Sequence, residues 1–525
     1  MTTEVTGEIL IGQSTMTGQG KPMHAVNPST GARLQPPFSM ASAADVNRAC
    51  QLADAAFNAY RALDLEARAV FLETIAANIA DLGSSLIDRA IAETGLPAFR
   101  LEGEFDRTVK QLRLFAWVVR DGEWLDLRVD PAMPNRKPLP RPDIRLRQIP
   151  LGPVAVFGSS NFPLAFSVAG GDTTAALAAG CPVVVKGHLA HPGTGEMVGR
   201  AIQAAVTSCG LPEGVFSLVT GPNETGAALV RHPAMKAVGF TGSRIGGLAL
   251  QAIAAARAEP IPVYAEMSSV NPVFLLRQAL ASRAEEMATA FVASFTVGAG
   301  QLCTNPGLLI AIDGQDVNRF TGAAATSLKE NDAGPMLSAG IHDAFLNGVA
   351  RLAGHTGVST VARGRDSDGV NRTAAAFFET TASQFCADPS LAEEVFGASA
   401  LLVRCADFSD VLAVANALEG QLTATLHLDD GDLEDASELL PILERKVGRI
   451  LANGWPTGVE VSDAMVHGGP FPATSDSRTT SVGTMSIRRF LRPVSYQNLP
   501  AGLLPQELRP GIVGSMPHLL DGKRA

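Results

Sequence analysis

Residues 151–186 read LGPVAVFGSSNFPLAFSVAGGDTTAALAAGCPVVVK, and this stretch decides the fold class. The apolar run at 153–157 predicts a buried strand, and the Gly/Ser/Asn run at 158–161 predicts the turn after it. A helix over 166–179 follows, and a second apolar strand ends at Lys186. A strand–helix–strand unit of this kind is typical of parallel, nucleotide-binding α/β sheets.

The same alternation continues along the chain. We predict helices over 194–207, 225–231 and 248–256, and strands over 215–220, 237–241, 260–266 and 272–276. A second α/β region has strands near 308–312, 400–404, 423–428 and 448–453, and a helix-rich region over 44–120 precedes both. The sequence therefore predicts an α/β protein with more than one domain.

Composition excludes several function classes. The 525 residues are 46% hydrophobic and 18% charged, with a net charge of −10, and no long basic run indicates nucleic-acid binding. No apolar run reaches the length of a membrane span, and the N-terminus lacks a leader pattern. The six cysteines lack metal-ligand spacing, so we expect reduced thiols, no metal and a cytoplasmic, soluble protein.

One cysteine lies in a turn-forming loop. Cys303 sits within GAGQLCTNPG at 298–307, between an apolar helix-like run and a strand-like run. Flanking glycines allow backbone N–H groups to approach a ligand and a thiol to be presented to it. An inert, buried cysteine is the alternative, so the case for a nucleophile depends on partners elsewhere in the chain.

Four other polar residues follow strands or precede helices. Asn161 is either a turn residue or an amide that donates to an oxyanion. Glu266 ends an apolar strand, where an apolar setting would raise its pKa and suit a general base, unless it is ion-paired. Lys186 ends a strand where a cation can reach a ribose or a phosphate, and Glu394 is either a solvated acid or a ligand-binding one.

Taken in order, these residues resemble the NAD(P)-dependent aldehyde dehydrogenase superfamily over roughly residues 20–500. The stretches that carry the resemblance are Gly158-Ser-Ser-Asn-Phe-Pro163, Val184-Val-Lys-Gly187, Gly239-Phe-Thr-Gly-Ser243, Tyr264-Ala-Glu-Met267, Gly300-Gln-Leu-Cys303, Glu394-Val-Phe-Gly397 and Asn453-Gly-Trp-Pro-Thr-Gly458. The resemblance implies that Cys303 attacks an aldehyde, that Asn161 and the Cys303 N–H hold the oxyanion, and that Glu266 activates the water that hydrolyses the thioester.

The resemblance also implies a cofactor site. Its residues would be Lys186 at the adenine ribose, Gly242, Ser243 and Gly247 near the pyrophosphate, and Glu394 and Phe396 at the nicotinamide riboside. Many NAD-specific members carry an acid three residues after the lysine, whereas this chain reads Lys186-Gly-His-Leu189. That difference favours NADP, but Glu224 could restore repulsion of a 2′-phosphate, so both NADP and NAD stay open.

The substrate branch is indicated by two further stretches. Lys186-Gly-His-Leu-Ala-His-Pro192 and Val466-His-Gly-Gly-Pro-Phe-Pro472 resemble the α-ketoglutaric semialdehyde (2,5-dioxovalerate) dehydrogenase branch, which belongs to sugar-acid catabolism. Phe162, Phe166 and Phe471 are expected to line the access tunnel, with His467 near the thiol. A dicarboxylic semialdehyde also needs a cation for its distal carboxylate, and the sequence does not identify which arginine supplies it.

Three alternatives stay open. The first is an NADP-preferring enzyme for long-chain or varied aldehydes. The second is a thiol hydrolase, which needs a histidine base beside Cys303 and no nucleotide. The third is a non-enzymatic protein on the same scaffold, which predicts loss of Cys303 or Glu266, although both are present.

The resemblance implies an aldehyde-dehydrogenase-like α/β fold. We expect a Rossmann-type nucleotide-binding domain (1–129 and 151–270), an α/β catalytic domain (271–480), a small β oligomerisation arm (130–150 and 481–500) and a C-terminal tail (501–525) that frays or packs late. A strand over 481–496 would join the arm. Two arms pairing across a two-fold axis would give a homodimer or a homotetramer.

Overall fold

The computed structural model describes residues 4–332, 334–365 and 368–525. In chain order the strands are β1 (Ile9–Ile11), β2 (Ser14–Met16), β3 (Gly20–Val26), β4 (Arg33–Met40), β5 (Leu127–Asp130), β6 (Ile144–Pro150), β7 (Val154–Phe157), β8 (Val183–Gly187), β9 (Phe216–Thr220), β10 (Ala237–Thr241), β11 (Val263–Glu266), β12 (Val273–Leu275), β13 (Leu308–Ile312), β14 (Val358–Arg363), β15 (Ala376–Thr381), β16 (Ser399–Cys405), β17 (Gln421–His427), β18 (Val447–Ala452), β19 (Leu491–Gln497), β20 (His518–Leu520) and β21 (Lys523–Arg524). The α-helices are α1 (Ala43–Arg61), α2 (Leu65–Ala80), α3 (Gly83–Thr94), α4 (Ala98–Asp121), α5 (Gly171–Ala179), α6 (Pro192–Ser208), α7 (Asn223–Arg231), α8 (Arg244–Ala255), α9 (Arg277–Thr296), α10 (Gln315–Lys329), α11 (Ala339–Gly354), α12 (Ala382–Ala387), α13 (Phe408–Ala417) and α14 (Leu433–Leu443).

The first sheet has seven strands in the order β11-β10-β7-β8-β9-β1-β2, with β7 to β11 parallel. Helices cover both faces, so β7 and the valines of β8 are buried. The chain adds β8 and β9 on one side of β7 and then returns to add β10 and β11 on the other. Such a reversal opens a crevice at the carboxyl ends of β7 and β10.

The helix that follows β7 begins later than predicted. The sequence pattern predicts a helix from residue 166, but α5 begins at Gly171. The buried carboxylate of Glu104 accepts hydrogen bonds from the N–H groups of Leu164 (2.8 Å) and Ala165 (3.0 Å). The Ser159 N–H also donates to the carbonyl of Phe166, at 2.9 Å. These contacts hold residues 159–166 in an irregular turn, which leaves Phe162 and Phe166 outside the helix.

The second sheet has the order β14-β15-β16-β13-β12-β17-β18, and only β14 runs antiparallel to its neighbour. Helices α9 and α10 pack on one face, while α11 to α14 pack on the other. The loop that carries Cys303 leads into β13, and the segment with Glu394 leads into the adjacent strand β16. Both candidate residues therefore lie at the amino edge of this sheet.

The third sheet has the order β19-β6-β5-β20-β21. Strands β6 and β19 pair antiparallel from Pro150↔Leu491 to Ile144↔Gln497. The prediction of one strand over 481–496 was wrong in its first half, because Thr484–Phe490 is a 3-10 helix. Ile487 and Phe490, three residues apart, are buried on one side of it, which matches the period of that helix.

The C-terminal tail, expected to fray or to pack late, packs on the third sheet. Leu504 and Leu508 are buried, and β20 pairs in parallel with β5. Arg147 on β6 forms an ion pair with Glu507 at 2.7 Å. The domain boundaries stay predictions. The strands of these three sheets lie within 9–266, 273–452, and 127–150 with 491–524, and β3 and β4 form a separate two-stranded sheet.

Within the described ranges, no single helix is long and apolar enough to cross a membrane. Helices α2 and α3 pass that test only as a pair, by length and composition, and they meet at a bend of 73°.

Candidate active site

The Cys303 loop is shaped by left-handed backbone. After α9, Gly298, Ala299 and Gly300 have φ of 60°, 56° and 68°. A side chain at Gly300 would collide with the backbone of Gly397 and Ala398, so only glycine lets the loop pack against the chain that enters β16. The carbonyl of Cys303 accepts a hydrogen bond from the Asn271 side-chain amide at 2.9 Å. The backbone on both sides of the half-buried thiol is thereby fixed.

Cys303, His467 and Glu266 form one polar cluster. The Cys303 Sγ lies 3.4 Å from His467 Nε2, and the same nitrogen lies 2.9 Å from Glu266 Oε1. The thiol sulfur, an imidazole nitrogen and a carboxylate oxygen of this cluster all lie within 4.8 Å of one another. Because Glu266 ends β11 and Cys303 leads into β13, the cluster bridges the carboxyl edge of the first sheet and the amino edge of the second.

The segment 466–481 positions the acid and the imidazole. Ser481 Oγ donates to Glu266 Oε2 at 2.7 Å, and the Ser481 N–H donates to the carbonyl of His467 at 2.9 Å. The His467 N–H donates to Thr480 Oγ1, also at 2.9 Å. Sequence analysis missed Ser481 and Thr480, because they lie in a loop whose sequence matches no chemical motif.

The sequence left two settings open for Glu266, an apolar one that raises its pKa and an ion-paired one. Burial alone would raise the pKa, but the charge of His467 and the hydrogen bonds from His467 and Ser481 outweigh burial and lower it. The structure therefore shows the ion-paired setting. Burial, and after it the negative charge of Glu266, raises the pKa of Cys303 well above that of a free thiol. The resting pair is thus a carboxylate beside a protonated thiol, with the His467 imidazole between them.

Asn161 approaches the same loop from the other side. The turn after β7 directs its buried side chain towards residues 298–307, and Asn161 Nδ2 donates to the carbonyl of Gln301 at 3.0 Å. A side-chain amide has two N–H donors, so this contact leaves the second for a ligand. The structure therefore brings the Asn161 amide and the Cys303 loop together.

Lys186 and the start of α8 lie on the carboxyl edge of the first sheet. Lys186, at the end of β8, is half-buried, and burial lowers the pKa of its ammonium group to about 8. Ser243 Oγ caps α8 by accepting a hydrogen bond from the Gly246 N–H at 3.2 Å. A half-buried cation and a helix N-terminus on the same sheet edge fit an anionic cofactor. Gly247 packs on Met267, since a Cβ there would lie 2.7 Å from the Met267 sulfur.

Glu394 and Phe396 line a cleft next to the Cys303 loop. Leu302 and Asn305 of that loop line the same cleft. Burial raises the pKa of Glu394 to about 8, so its carboxyl group is mostly protonated at neutral pH. A neutral carboxyl can both donate to and accept from a hydroxyl group.

The aromatic residues separate into two places. Phe162 and Phe166 contact each other edge to face at 5.2 Å, and the Phe166 ring lies 6.3 Å from the His467 ring. Phe471, predicted to join them, is instead 56% exposed and lies under Arg244 at the start of α8, at 5.6 Å. Of the three phenylalanines expected along an access tunnel, two therefore contact each other beside His467, and Phe471 lies apart from them.

Two arginines missed by sequence analysis stand beside these rings. Arg100 and Arg107 lie on α4, with their guanidinium carbons 4.9 Å from the Phe162 ring and 5.3 Å from the Phe166 ring. Their separation of seven residues, which places both on one helix face, was the available signal.

Comparisons with known proteins show the family of this chain. The Aldehyde dehydrogenase family profile matches residues 15–470. An "Alpha-ketoglutaric semialdehyde dehydrogenase 2" from Azospirillum brasilense is 58% identical over 522 residues, covering 99% of each chain. An "Alpha-ketoglutaric semialdehyde dehydrogenase" from Acinetobacter baylyi is 48% identical and covers 92% of each chain.

The fold agrees as well. The crystal structure of a betaine aldehyde dehydrogenase from Staphylococcus aureus superposes with a TM-score of 0.80 at 18% identity, covering 97% of this chain and 98% of that one. Because the family profile spans most of the chain and two relatives match it nearly end to end, the protein belongs to the aldehyde dehydrogenase family.

Proposed function

We propose that this NAD(P)-dependent aldehyde dehydrogenase oxidises α-ketoglutaric semialdehyde (2,5-dioxopentanoate) to α-ketoglutarate. The observation that carries the proposal is the 58% identity, over 99% of both chains, to a relative named for that substrate. The Cys303–His467–Glu266 cluster supplies the chemical groups that such an oxidation needs. An acyl-enzyme route requires a nucleophile, a proton acceptor and an oxyanion donor, and each type is present.

In this proposal Cys303 is the nucleophile. The thiol proton passes to the neighbouring His467–Glu266 pair as sulfur bonds to the aldehyde carbon. The Asn161 amide and the Cys303 N–H stabilise the resulting oxyanion. NAD(P)+, when held in this site, would supply the acceptor for the hydride of this carbon. After the pair has released the thiol proton to solvent, Glu266 takes a proton from the water that attacks the thioester, and Cys303 leaves as the thiolate.

The cofactor would be held by residues at the carboxyl edge of the first sheet and at the amino edge of the second. We propose that Lys186 contacts the adenine ribose, that Gly242 and Ser243 contact the pyrophosphate at the start of α8, and that Glu394 and Phe396 position the nicotinamide riboside. Gly247 contributes by packing on Met267, which lets α8 approach β11. The helix N-terminus and the half-buried ammonium group support this arrangement.

We predict a pH-dependent preference between the two cofactors. Since the pKa of Lys186 is about 8, its positive charge is present below that pH and is lost above it. Only NADP+ carries a 2′-phosphate that depends on this charge. The ratio KM(NADP+)/KM(NAD+) should therefore rise up to about tenfold between about pH 7 and about pH 9. Steady-state kinetics of the wild type and Lys186→Met measure it, and a flat wild-type ratio would contradict the role of Lys186.

The substrate proposal is tested by a rate comparison. We expect kcat/KM for 2,5-dioxopentanoate to exceed that for octanal, a medium-chain aldehyde without a carboxylate, by about 100-fold, the value of a paired buried charge. Initial rates of cofactor reduction measure both values in one preparation. A preference for octanal would support the alternative of an enzyme for long-chain or varied aldehydes.

A thiol hydrolase is the second candidate, and one contact favours it. The hydrolase alternative required a histidine beside Cys303, and His467 lies 3.4 Å from the sulfur. Ester hydrolysis alone does not separate the two, because an acyl-Cys303 intermediate hydrolyses in both. Titration with NAD+ and NADP+ separates them: binding supports the dehydrogenase, whereas ester turnover without any binding would support the hydrolase.

We also propose that the third sheet mediates homodimer or homotetramer formation. Strand β19 is an edge of that sheet, so its outer backbone groups are available to pair with another strand. From Pro493 to Gln497 its side chains alternate between exposed and half-buried.

A further inference from the structure

Arg107 holds an unpaired fork of hydrogen-bond donors next to the Cys303 cluster. Its Nη1 donates to the carbonyl of Val459 at 2.9 Å. Its Nε and Nη2 are buried and have no hydrogen-bond partner among the described residues. Leaving buried donors of a charged group unpaired is costly, and such groups are normally satisfied by a partner or a ligand.

The two unpaired nitrogens of Arg107, Nε and Nη2, are the same two through which other arginines of this protein bind carboxylates side-on. Arg120 holds Glu66 through Nε and Nη2, both at 2.8 Å. Arg319 holds Glu285 through the same two nitrogens, at 2.8 and 2.6 Å. The Arg107 fork therefore has the geometry of a bidentate carboxylate site whose protein carboxylate is missing.

The fork stands near the reacting thiol. The Arg107 guanidinium lies over the Phe166 ring, the Phe166 ring adjoins the His467 ring, and His467 contacts the Cys303 sulfur. Its Nη1 anchors residue 459, and the neighbouring Thr457 carbonyl accepts a hydrogen bond from Thr304, the residue after the cysteine. Arg107 and the thiol are thus linked through two short chains of contacts.

Neither of the other buried arginines near the thiol offers such a fork. Arg100 donates through Nη2 to the carbonyl of Asn161, so its Nε–Nη2 edge is already in use, and its one buried unpartnered nitrogen, Nη1, packs against Gly298. Arg449 uses both Nη atoms on the carbonyls of Gly458 and Pro456, each at 2.7 Å, which leaves only Nε. These two cations hold backbone segments around the site.

We propose that the Nε–Nη2 edge of Arg107 binds the distal carboxylate of the substrate and selects short aldehydes that carry an acid at the far end. This inference rests on the proposed function. An extended 2,5-dioxopentanoate places its carboxylate roughly 5 Å beyond the aldehyde carbon, a span of four C–C bonds. Phe166 would lie along this chain, and its apolar face suits the methylene groups.

Arg107→Met tests the assignment, since it keeps much of the side-chain volume and removes the charge. The readout is the ratio of kcat/KM for 2,5-dioxopentanoate to kcat/KM for pentanal, an uncharged aldehyde of the same length. We expect the ratio to fall about 100-fold or more, because two charge-assisted hydrogen bonds are lost. Arg107→Lys keeps the charge without the fork and should give an intermediate ratio.

Arg113→Met, an exposed position on the same helix, is the matched control and should keep the wild-type ratio. If the wild type oxidises 2,5-dioxopentanoate well but Arg107→Met keeps its ratio, the assignment of Arg107 is overturned while the proposed function stands. If the wild type does not oxidise 2,5-dioxopentanoate at all, the proposed function itself fails. Pentanal turnover by Arg107→Met shows that the variant is folded.

Discussion

Cys303→Ala is expected to lower kcat/KM for 2,5-dioxopentanoate by about 10⁴-fold or more, the loss typical when a covalent nucleophile is removed. No other cysteine is placed to take over, because Cys50, Cys181 and Cys405 are buried in the cores, Cys209 contacts Thr74 on α2, and Cys386 is exposed on α12. Esterase activity should be lost in parallel, since both reactions pass through the same acyl-cysteine. Binding of NAD(P)+, measured by fluorescence titration, should persist.

Cys386→Ala is the matched control for this variant. Cys386 is exposed on α12, so its removal should leave both activities within about twofold of the wild type, as expected for a surface change away from any site. Substantial dehydrogenase turnover by Cys303→Ala would show that the thiol is not the nucleophile. Loss of cofactor binding as well would mean that the variant is misfolded, and Cys303→Ser would then replace it.

Glu266→Gln has the second largest expected effect, a fall in steady-state rate of about 10²- to 10⁴-fold, the contribution of a general base. The amide keeps the shape but cannot accept the proton of the attacking water, so the thioester should accumulate. Rapid mixing should therefore show a burst of reduced cofactor followed by a slow phase. Glu285→Gln, exposed on α9, should show the wild-type time course.

The same variant changes the titration of the thiol. Burial is the largest cause of the raised Cys303 pKa, and the negative charge of Glu266 is the second largest. Removing that charge should lower the pKa, so the pH profile of inactivation by iodoacetamide should move to lower pH. A shift to higher pH would show instead that Glu266 is needed to form the thiolate.

The sequence predicted the parts of the fold that local pattern controls. The first strand–helix–strand unit contains mostly buried apolar residues with Gly158–Asn161 as its turn, and the structure confirms the α/β class. The start of α5 was predicted five residues too early because Glu104, on a helix that precedes β7 in the chain, binds the N–H groups of Leu164 and Ala165. A contact between residues 60 positions apart leaves no periodic signal.

The sequence could suggest which residues belong to the candidate site, but not the contacts that surround them. Cys303, Glu266 and Asn161 followed from motifs, and His467 was expected near the thiol as a substrate contact. The structure instead places the imidazole between Cys303 and Glu266, and Ser481 on the far oxygen of that acid. These contacts join residues 164 to 215 positions apart, so the direction of the Glu266 pKa shift could not be inferred from neighbouring residues.

The sequence also could not identify the arginine that we propose for the distal carboxylate. The chain contains many arginines, and what distinguishes Arg107 is an unpaired, buried edge, which only the packed structure shows. The position of Phe471 was not predictable from its motif either. Its motif resembled the substrate branch, but its ring lies under Arg244 at the start of α8.

In the proposed mechanism the Cys303 sulfur carries the acyl group during oxidation. Glu266→Gln, mixed with 2,5-dioxopentanoate and NAD(P)+ and quenched in acid during the slow phase, should yield a single peptide with an α-ketoglutaryl adduct. Tandem mass spectrometry should place that adduct on Cys303, and hydroxylamine should remove it. A burst of reduced cofactor without this adduct, or with the adduct on any other residue, would contradict the account.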